Sequence, residues 1–125
     1  MREIKFRAWD KSYEEMIYSA ERTYDYGCNA EGSSYHEHFG YLLDDEDCEV
    51  MQYTGLKDKN GKEIYEEDII YNSTEEENFV VEWFEEGARY VFSGISVIMD
   101  FDNCYEYELE VIGNIYENPE LLGDD

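Results

Sequence analysis

Basic residues are scarce in this chain. Nine Lys and Arg stand against thirty-three Asp and Glu, a formal charge of −24. Direct binding to phosphate backbones is thereby disfavoured, because that affinity comes from Lys and Arg displacing counterions. Anionic membrane surfaces are disfavoured on the same ground. Cysteine is sparse as well: Cys28, Cys48 and Cys104 are an odd number without a CxxC spacing. They argue against a disulfide framework and fit a reducing compartment. No apolar run approaches the roughly 20 residues of a membrane helix, and Met1-Arg2-Glu3 is not followed by an apolar core of signal-peptide length. A cytoplasmic protein is expected. Proline occurs once, at Pro119.

Aromatic residues are abundant, at 17% with thirteen tyrosines. A disordered acidic chain would be poor in them. Tyr and Phe favour strands, and Tyr suits half-buried surfaces with its ring inside and its hydroxyl in water. The composition therefore reads as mainly β with a minor helical part. The 125 residues suit a single domain. A basic protein or a multivalent cation is the partner that this charge fits; solubility alone is the bland alternative.

The most patterned stretch is Met51–Tyr71, MQYTGLKDKNGKEIYEEDIIY. Met51 and Tyr53 alternate with Val50, Gln52 and Thr54, as in a short strand. Asn60-Gly61 predicts a two-residue type I′ hairpin with positive φ at both residues. An acidic corner follows at Tyr65-Glu66-Glu67-Asp68, then the apolar run Ile69-Ile70-Tyr71. Strand, hairpin, corner and strand form the entry to a small barrel.

Around this stretch the chain divides into three parts. Residues 1–20 predict an N-terminal hairpin. In it Ile4, Phe6 and Ala8 face one way and Lys5, Arg7 and Trp9 the other, as in a half-buried strand, and Met16-Ile17-Tyr18 returns. Arg2, Lys5, Arg7 and Lys11 place four of the basic residues here, facing carboxylates of this chain or a neighbouring copy. Residues 21–47 read as a loop-rich insertion, of a kind that is often functional or an assembly arm. Residues 48–122 hold five or six short strands joined by tight turns, a small closed sheet. The longest clean alternation is Tyr105–Ile112, with Tyr105, Tyr107, Leu109 and Val111 on one face. Asn118-Pro119-Glu120-Leu121-Leu122 predicts a short capped helical turn.

The sequence resembles the YopX family of bacteriophage and prophage proteins. The resemblance rests on Met51–Leu56 with Asp58, Asn60-Gly61, Lys62, Ile64-Tyr65-Glu66 and Asp68-Ile69. It extends to the opening Arg2–Asp10 and to the closing motif Val111–Leu122. It implies an SH3-like β-barrel and a phage or prophage origin, and it carries no assigned activity. Thr54, Gly55, Asn60, Gly61, Tyr65, Asp68, Gly113 and Asn114 are the residues expected to hold the structural motif. The family usually has Gly between the Glu and Asp of the corner, where this chain has Glu67; a corner needing positive φ would strain it.

Candidate chemistry is thin. His36 and His38, at i and i+2, offer two imidazoles for a metal, but no Cys or His at a standard spacing completes a zinc site. Asp44-Asp45-Glu46-Asp47 and Glu75-Glu76-Glu77 supply oxygen ligands without the EF-hand pattern, so diffuse cation condensation is the plainer reading. These two acidic runs are the candidate protein-binding residues. Trp9, Trp83 and the tyrosines are the candidate aromatic groove, with a core role as the commoner alternative. No G-x-S-x-G, P-loop or H-E-x-x-H is present, so no catalytic residue and no cofactor is expected. The reading is a non-enzymatic phage accessory protein that binds a basic host protein, in the manner of a nucleic-acid mimic. A self-assembling oligomer and a small metal-dependent hydrolase are the alternatives.

Charge alone yields a first prediction. Self-repulsion among the unpaired carboxylates opposes the compact state and is screened by salt. The melting temperature, followed by circular dichroism, rises as salt is added; a flat response would mean evenly paired charges.

Overall fold

A computed structural model describes residues 4–20, 43–44, 46–94, 98–101 and 105–122. The fold is mainly β, of the small β-barrel class. The chain divides into two compact units, Met1–Gln52 and Tyr53–Asp125. All described strand pairs are antiparallel.

The first unit contains β1 (Phe6–Asp10), β2 (Glu15–Tyr18) and the start of β3 (Cys48–Lys57). The expected hairpin is present, with Ala8 opposite Ile17 and Asp10 opposite Glu15. Asp10 makes its turn: one carboxylate oxygen accepts the N–H groups of Ser12 (2.9 Å) and Tyr13 (3.2 Å). An aspartate that satisfies backbone donors two and three residues ahead holds such a turn locally. The expected half-exposed β1 is not found. Arg7 and Trp9 are buried along with Ala8 and Asp10, so both faces of β1, an interior strand between β2 and β3, are covered. Ala8 packs with Ala20 and Cys48, flanked by Phe6, Ile17 and Val50.

In the second unit β3 runs on to Lys57 and pairs with β4 (Glu63–Tyr65). A five-stranded sheet follows in the order β8-β7-β6-β5-β9. Its strands are β5 (Asp68–Asn72), β6 (Glu77–Phe84), β7 (Arg89–Ser93), β8 (Ile98–Asp100) and β9 (Leu109–Asn114). Alternation sets the faces. Ile70, Phe79, Val81, Phe92 and Leu109 point inward with Ile64 and form the core. Each such side chain contributes about 1.5–3 kcal/mol on burial. An aromatic row continues this face outward: Phe92 stacks on Phe101 at 4.3 Å, Phe101 on Tyr90 at 6.1 Å, and Tyr90 meets Trp83 edge-on at 4.9 Å.

Two strand expectations are corrected. The run from Tyr105 does not begin as a strand: Glu106–Glu108 is a 3-10 turn and β9 starts at Leu109. Glu108 accepts the Tyr105 N–H at 3.0 Å and the Thr74 hydroxyl at 2.6 Å, and those bonds curl the segment. Tyr105 and Tyr107 consequently stack on each other at the surface, 5.5 Å apart. Nor is Asn60-Gly61 a type I′ turn. Gly61 has φ +82° while Asn60 does not have positive φ. Gly61 N–H donates to the Asp58 carbonyl, and Asp58 N–H to the Lys62 carbonyl. This is a turn centred on Lys59-Asn60 followed by a glycine bulge.

The acidic corner does need positive φ, and Glu67 supplies it at +68°. Its backbone is fixed on two sides, since its N–H donates to Val81 (2.8 Å) and its carbonyl accepts from Ile115 (3.1 Å). Such bracing keeps a non-glycine residue in the left-handed region at a cost of about 1–2 kcal/mol. Ala88 occupies the same region at +51°, although Gly87 stands next to it. Gly87 serves closeness instead, because a Cβ there would strike the Arg89 guanidinium.

Glu67→Gly relieves the strain and stabilises the protein by about 0.5–1 kcal/mol in urea unfolding, after the extra chain entropy of glycine is counted. Destabilisation would show that the Glu67 side chain contributes more than its backbone costs. Gly113→Ala has the opposite sign. The new methyl would lie 2.4 Å from Asn118 Oδ1, and a loss of about 1–3 kcal/mol is expected.

Candidate functional site

The conspicuous residues of the patterned stretch have structural tasks. Gly55, at φ +94°, sits in a bulge where β3 spans more residues than β4 between the Tyr53–Tyr65 and Lys57–Glu63 pairs. Thr54 replaces the missing ladder bonds: its hydroxyl donates to the Ile64 carbonyl (2.7 Å) and accepts the Leu56 N–H (3.2 Å). Tyr65 packs its ring on Tyr53, and its N–H donates to buried Asp68 at 2.8 Å. The closing motif behaves alike. Asn114 Oδ1 accepts the N–H groups of Tyr116 (3.0 Å) and Glu117 (2.8 Å), while Asn118 Oδ1 accepts that of Asn114 (3.2 Å) and lies over Gly113.

Asp58 is the centre of the stretch. It is 3% exposed, yet both oxygens are used. Oδ1 accepts the N–H groups of Asn60 and Lys62, each at 2.8 Å, and Oδ2 that of Val111 at 2.9 Å. Burial by itself would raise this carboxyl's pKa. The donors from Val111, Lys62 and Asn60, with the Lys62 charge, outweigh that effect and hold it below its ordinary value. The Lys59 N–H also donates to the Leu109 carbonyl at 3.0 Å. The hairpin tip thus occupies hydrogen-bonding positions on the free edge of β9, a place that would otherwise invite another strand.

Carboxylates gather on the outer sheet face. Val80 and Glu82 alternate with the core residues Phe79 and Val81. The 3-10 turn Pro119–Leu122 docks beside them, with Asn78 Nδ2 donating to the Leu121 carbonyl at 2.9 Å. Between turn and sheet lies an open groove of about 470 Å³. Val80, Leu121 and Leu122 give it apolar lining, and Glu76, Glu77 and Glu82 give it charge. Of the predicted protein-binding residues, the structure therefore brings Glu76 and Glu77 into one groove. Glu75 sits in the preceding turn, where its N–H and that of Thr74 donate to Asn72 Oδ1. Glu82 escaped the sequence reading because it is a single acid in an apolar strand; its alternation with Val81 is the signal that marks it as outward-facing.

The other candidates stay apart. Asp44 and Glu46 are exposed. Asp47 is tied to the first hairpin: its carbonyl accepts the Lys11 N–H and its carboxylate the Ser12 hydroxyl. Asp45, His36 and His38 lie outside the described residues, as does most of the 21–47 insertion. No group of three or more His, Cys, Asp or Glu is placed to hold a metal among the described residues. Trp9 belongs to the buried set, whereas Trp83 is 47% exposed. A second cavity, about 330 Å³, is lined by Arg89, Tyr90, Asp100 and Phe101. Its cation is already engaged, with Arg89 Nε 2.6 Å from Asp100 and the guanidinium over Phe84.

Fold and site together define a small, mainly β protein of the β-barrel type, whose patterned residues build turns and three of whose described acids, Glu76, Glu77 and Glu82, line an open groove. The pattern of the YopX protein family matches residues 5–123, and the chain belongs to that family. It is similar to the crystal structure of protein EF1440 from Enterococcus faecalis, with 27% identity, a TM-score of 0.68, and coverage of 98% of this chain and 100% of that one. It is similar also to the crystal structure of protein yopX from Bacillus subtilis, with 20% identity, a TM-score of 0.55, and coverage of 95% and 98%. None of the curated proteins compared with the chain matches it.

Asp58 carries a prediction about acid. Its folded pKa is depressed, so its contribution is complete above the unfolded value, near 4, and is lost as pH falls through the folded one. Asp58→Asn keeps the shape, but its amide presents donors to donors. A loss of about 2–3 kcal/mol at neutral pH is expected, together with a shallower fall in stability below about pH 4. An unchanged acid limb would assign that limb to other carboxylates.

Proposed function

We propose that this protein is a non-enzymatic phage or prophage accessory protein that acts in the bacterial cytoplasm by binding a basic host protein, competing there with nucleic acid. The supporting observation is the charge. The net value is −24, and described cations are drawn into pairs within the chain: Lys11 with Glu49 at 3.1 Å, Lys59 with Glu110 at 3.6 Å and Arg89 with Asp100 at 2.6 Å. Intramolecular pairing leaves a large acidic excess facing solvent. Such a field speeds encounter with positive partners and repels nucleic acid. No helix among the described residues is long and apolar enough to cross a membrane.

Self-assembly through the basic N-terminal segment finds less support. Arg7 is buried and Lys11 is held by Glu49, so two of its four cations have tasks inside the chain. The metal-dependent hydrolase reading rests on His36 and His38, outside the described residues.

The test is capture from bacterial lysate on immobilised protein. A basic protein is retained at moderate salt, is released as salt rises, and is displaced by added DNA. Recovery of no basic protein, or retention indifferent to salt, would sink the proposal.

A further inference from the structure

We infer that the groove between β6 and the Pro119–Leu122 turn is a seat for a Lys or Arg side chain of a basic protein. This assignment names the contact surface of the proposed function and rests on that reading. Three features carry it. The groove is open and about 470 Å³ in volume, with Val80, Leu121 and Leu122 in its lining. Asn78 ties the turn to the sheet through the Leu121 carbonyl, so the apolar wall is anchored rather than loosely apposed. Gly94 lies in the lining too, and a Cβ there would meet the Phe79 ring at 2.7 Å and the Glu77 carboxylate at 2.5 Å. Gly94 so leaves room for the Phe79 ring and the Glu77 carboxylate at this end of the groove.

The chemistry that fits is a long aliphatic stem ending in a cation. Lys and Arg lay such stems along apolar surface while their heads seek opposite charge or water. Here the stem meets Val80 and the two leucines, and the head meets Glu76 and Glu82. A neutral apolar residue would leave those carboxylates facing it without a partner, and an anion would be repelled. A short cation would reach charge without using the apolar wall. That difference separates a seat from a merely acidic surface.

Glu76 offers an informative substitution, because it holds φ +56°. Glu76→Gly should stabilise the fold while removing a rim charge, so weaker binding cannot be ascribed to unfolding. The experiment titrates the full chain with a short fluorescent peptide of Lys, Gly and Ser at low salt. A control peptide replaces each Lys by diaminopropionate, which has equal charge and almost no stem. The Lys peptide is expected to bind several-fold tighter than the control. Glu76→Gly and Glu82→Gln should each weaken it about two- to fivefold, the range of exposed ion pairs, and Leu122→Ser should shrink the difference between the peptides. Equal binding of both peptides, unaffected by these variants, would overturn the groove assignment and leave the acidic-surface reading standing. Absence of binding by either peptide would overturn both. Light scattering that shows concentration-dependent self-association, abolished by Glu82→Gln, would make the occupant a second copy and overturn the assignment to a foreign protein.

Discussion

Buried Asp58 joins three pieces of backbone: its own turn, the start of β4's approach at Lys62, and β9 at Val111. The first two are local, whereas Val111 lies 53 residues from Asp58, and the Lys59–Leu109 backbone bond adds a second tie to β9. A carboxylate has room for several acceptor contacts, more than any neutral side chain of its size. Charge-assisted bonds to N–H groups are also roughly twice as strong as neutral ones. The hairpin tip can therefore seal the edge of β9 without another full strand, and the curled sheet acquires a covered side.

The same device recurs at smaller scale. Asp10, Thr54, Asp68, Asn72 and Asn114 each accept backbone N–H groups at a turn, bulge or corner. Short strands leave many donors beyond the reach of the ladder, and a buried donor left unmade costs about 1–3 kcal/mol. Side-chain oxygens close that account locally. With the exception of Arg7, the buried polar residues of the described chain belong to this class. The family signature is thus largely a record of turn chemistry. Its conspicuous residues occupy the joints of the fold, away from the groove.

Separation of joints from surface also shapes the functional reading. Acids that bind backbone keep their charge, but their oxygens are engaged and are not offered to a partner. The remainder, exposed and far in excess of Lys and Arg, give the molecule its long-range character. Among the described residues, acids border apolar lining beside Val80 and Leu122, and there the general charge acquires a local shape.

Much of the fold was legible in the residues themselves. The apolar run of β5, the alternation of β6, the glycine after Asn60, the Pro119 turn and the strain at Glu67 all depend on local sterics or on local apolar pattern, which a chain displays before it folds. Other features depended on partners distant in sequence. Arg7 is buried on a face that its own alternation marked as turned away. Tyr105 and Tyr107 leave the sheet because Thr74 holds Glu108. Asp58 resembled one more surface acid until β9 brought it the Val111 N–H. By itself the sequence determined the class of fold, the family and the acidic field, since composition and local conformational preference suffice for those. Tertiary structure alone decided which acids became joints and which came to line the groove, because that depends on which backbone donors and apolar side chains reach each carboxylate.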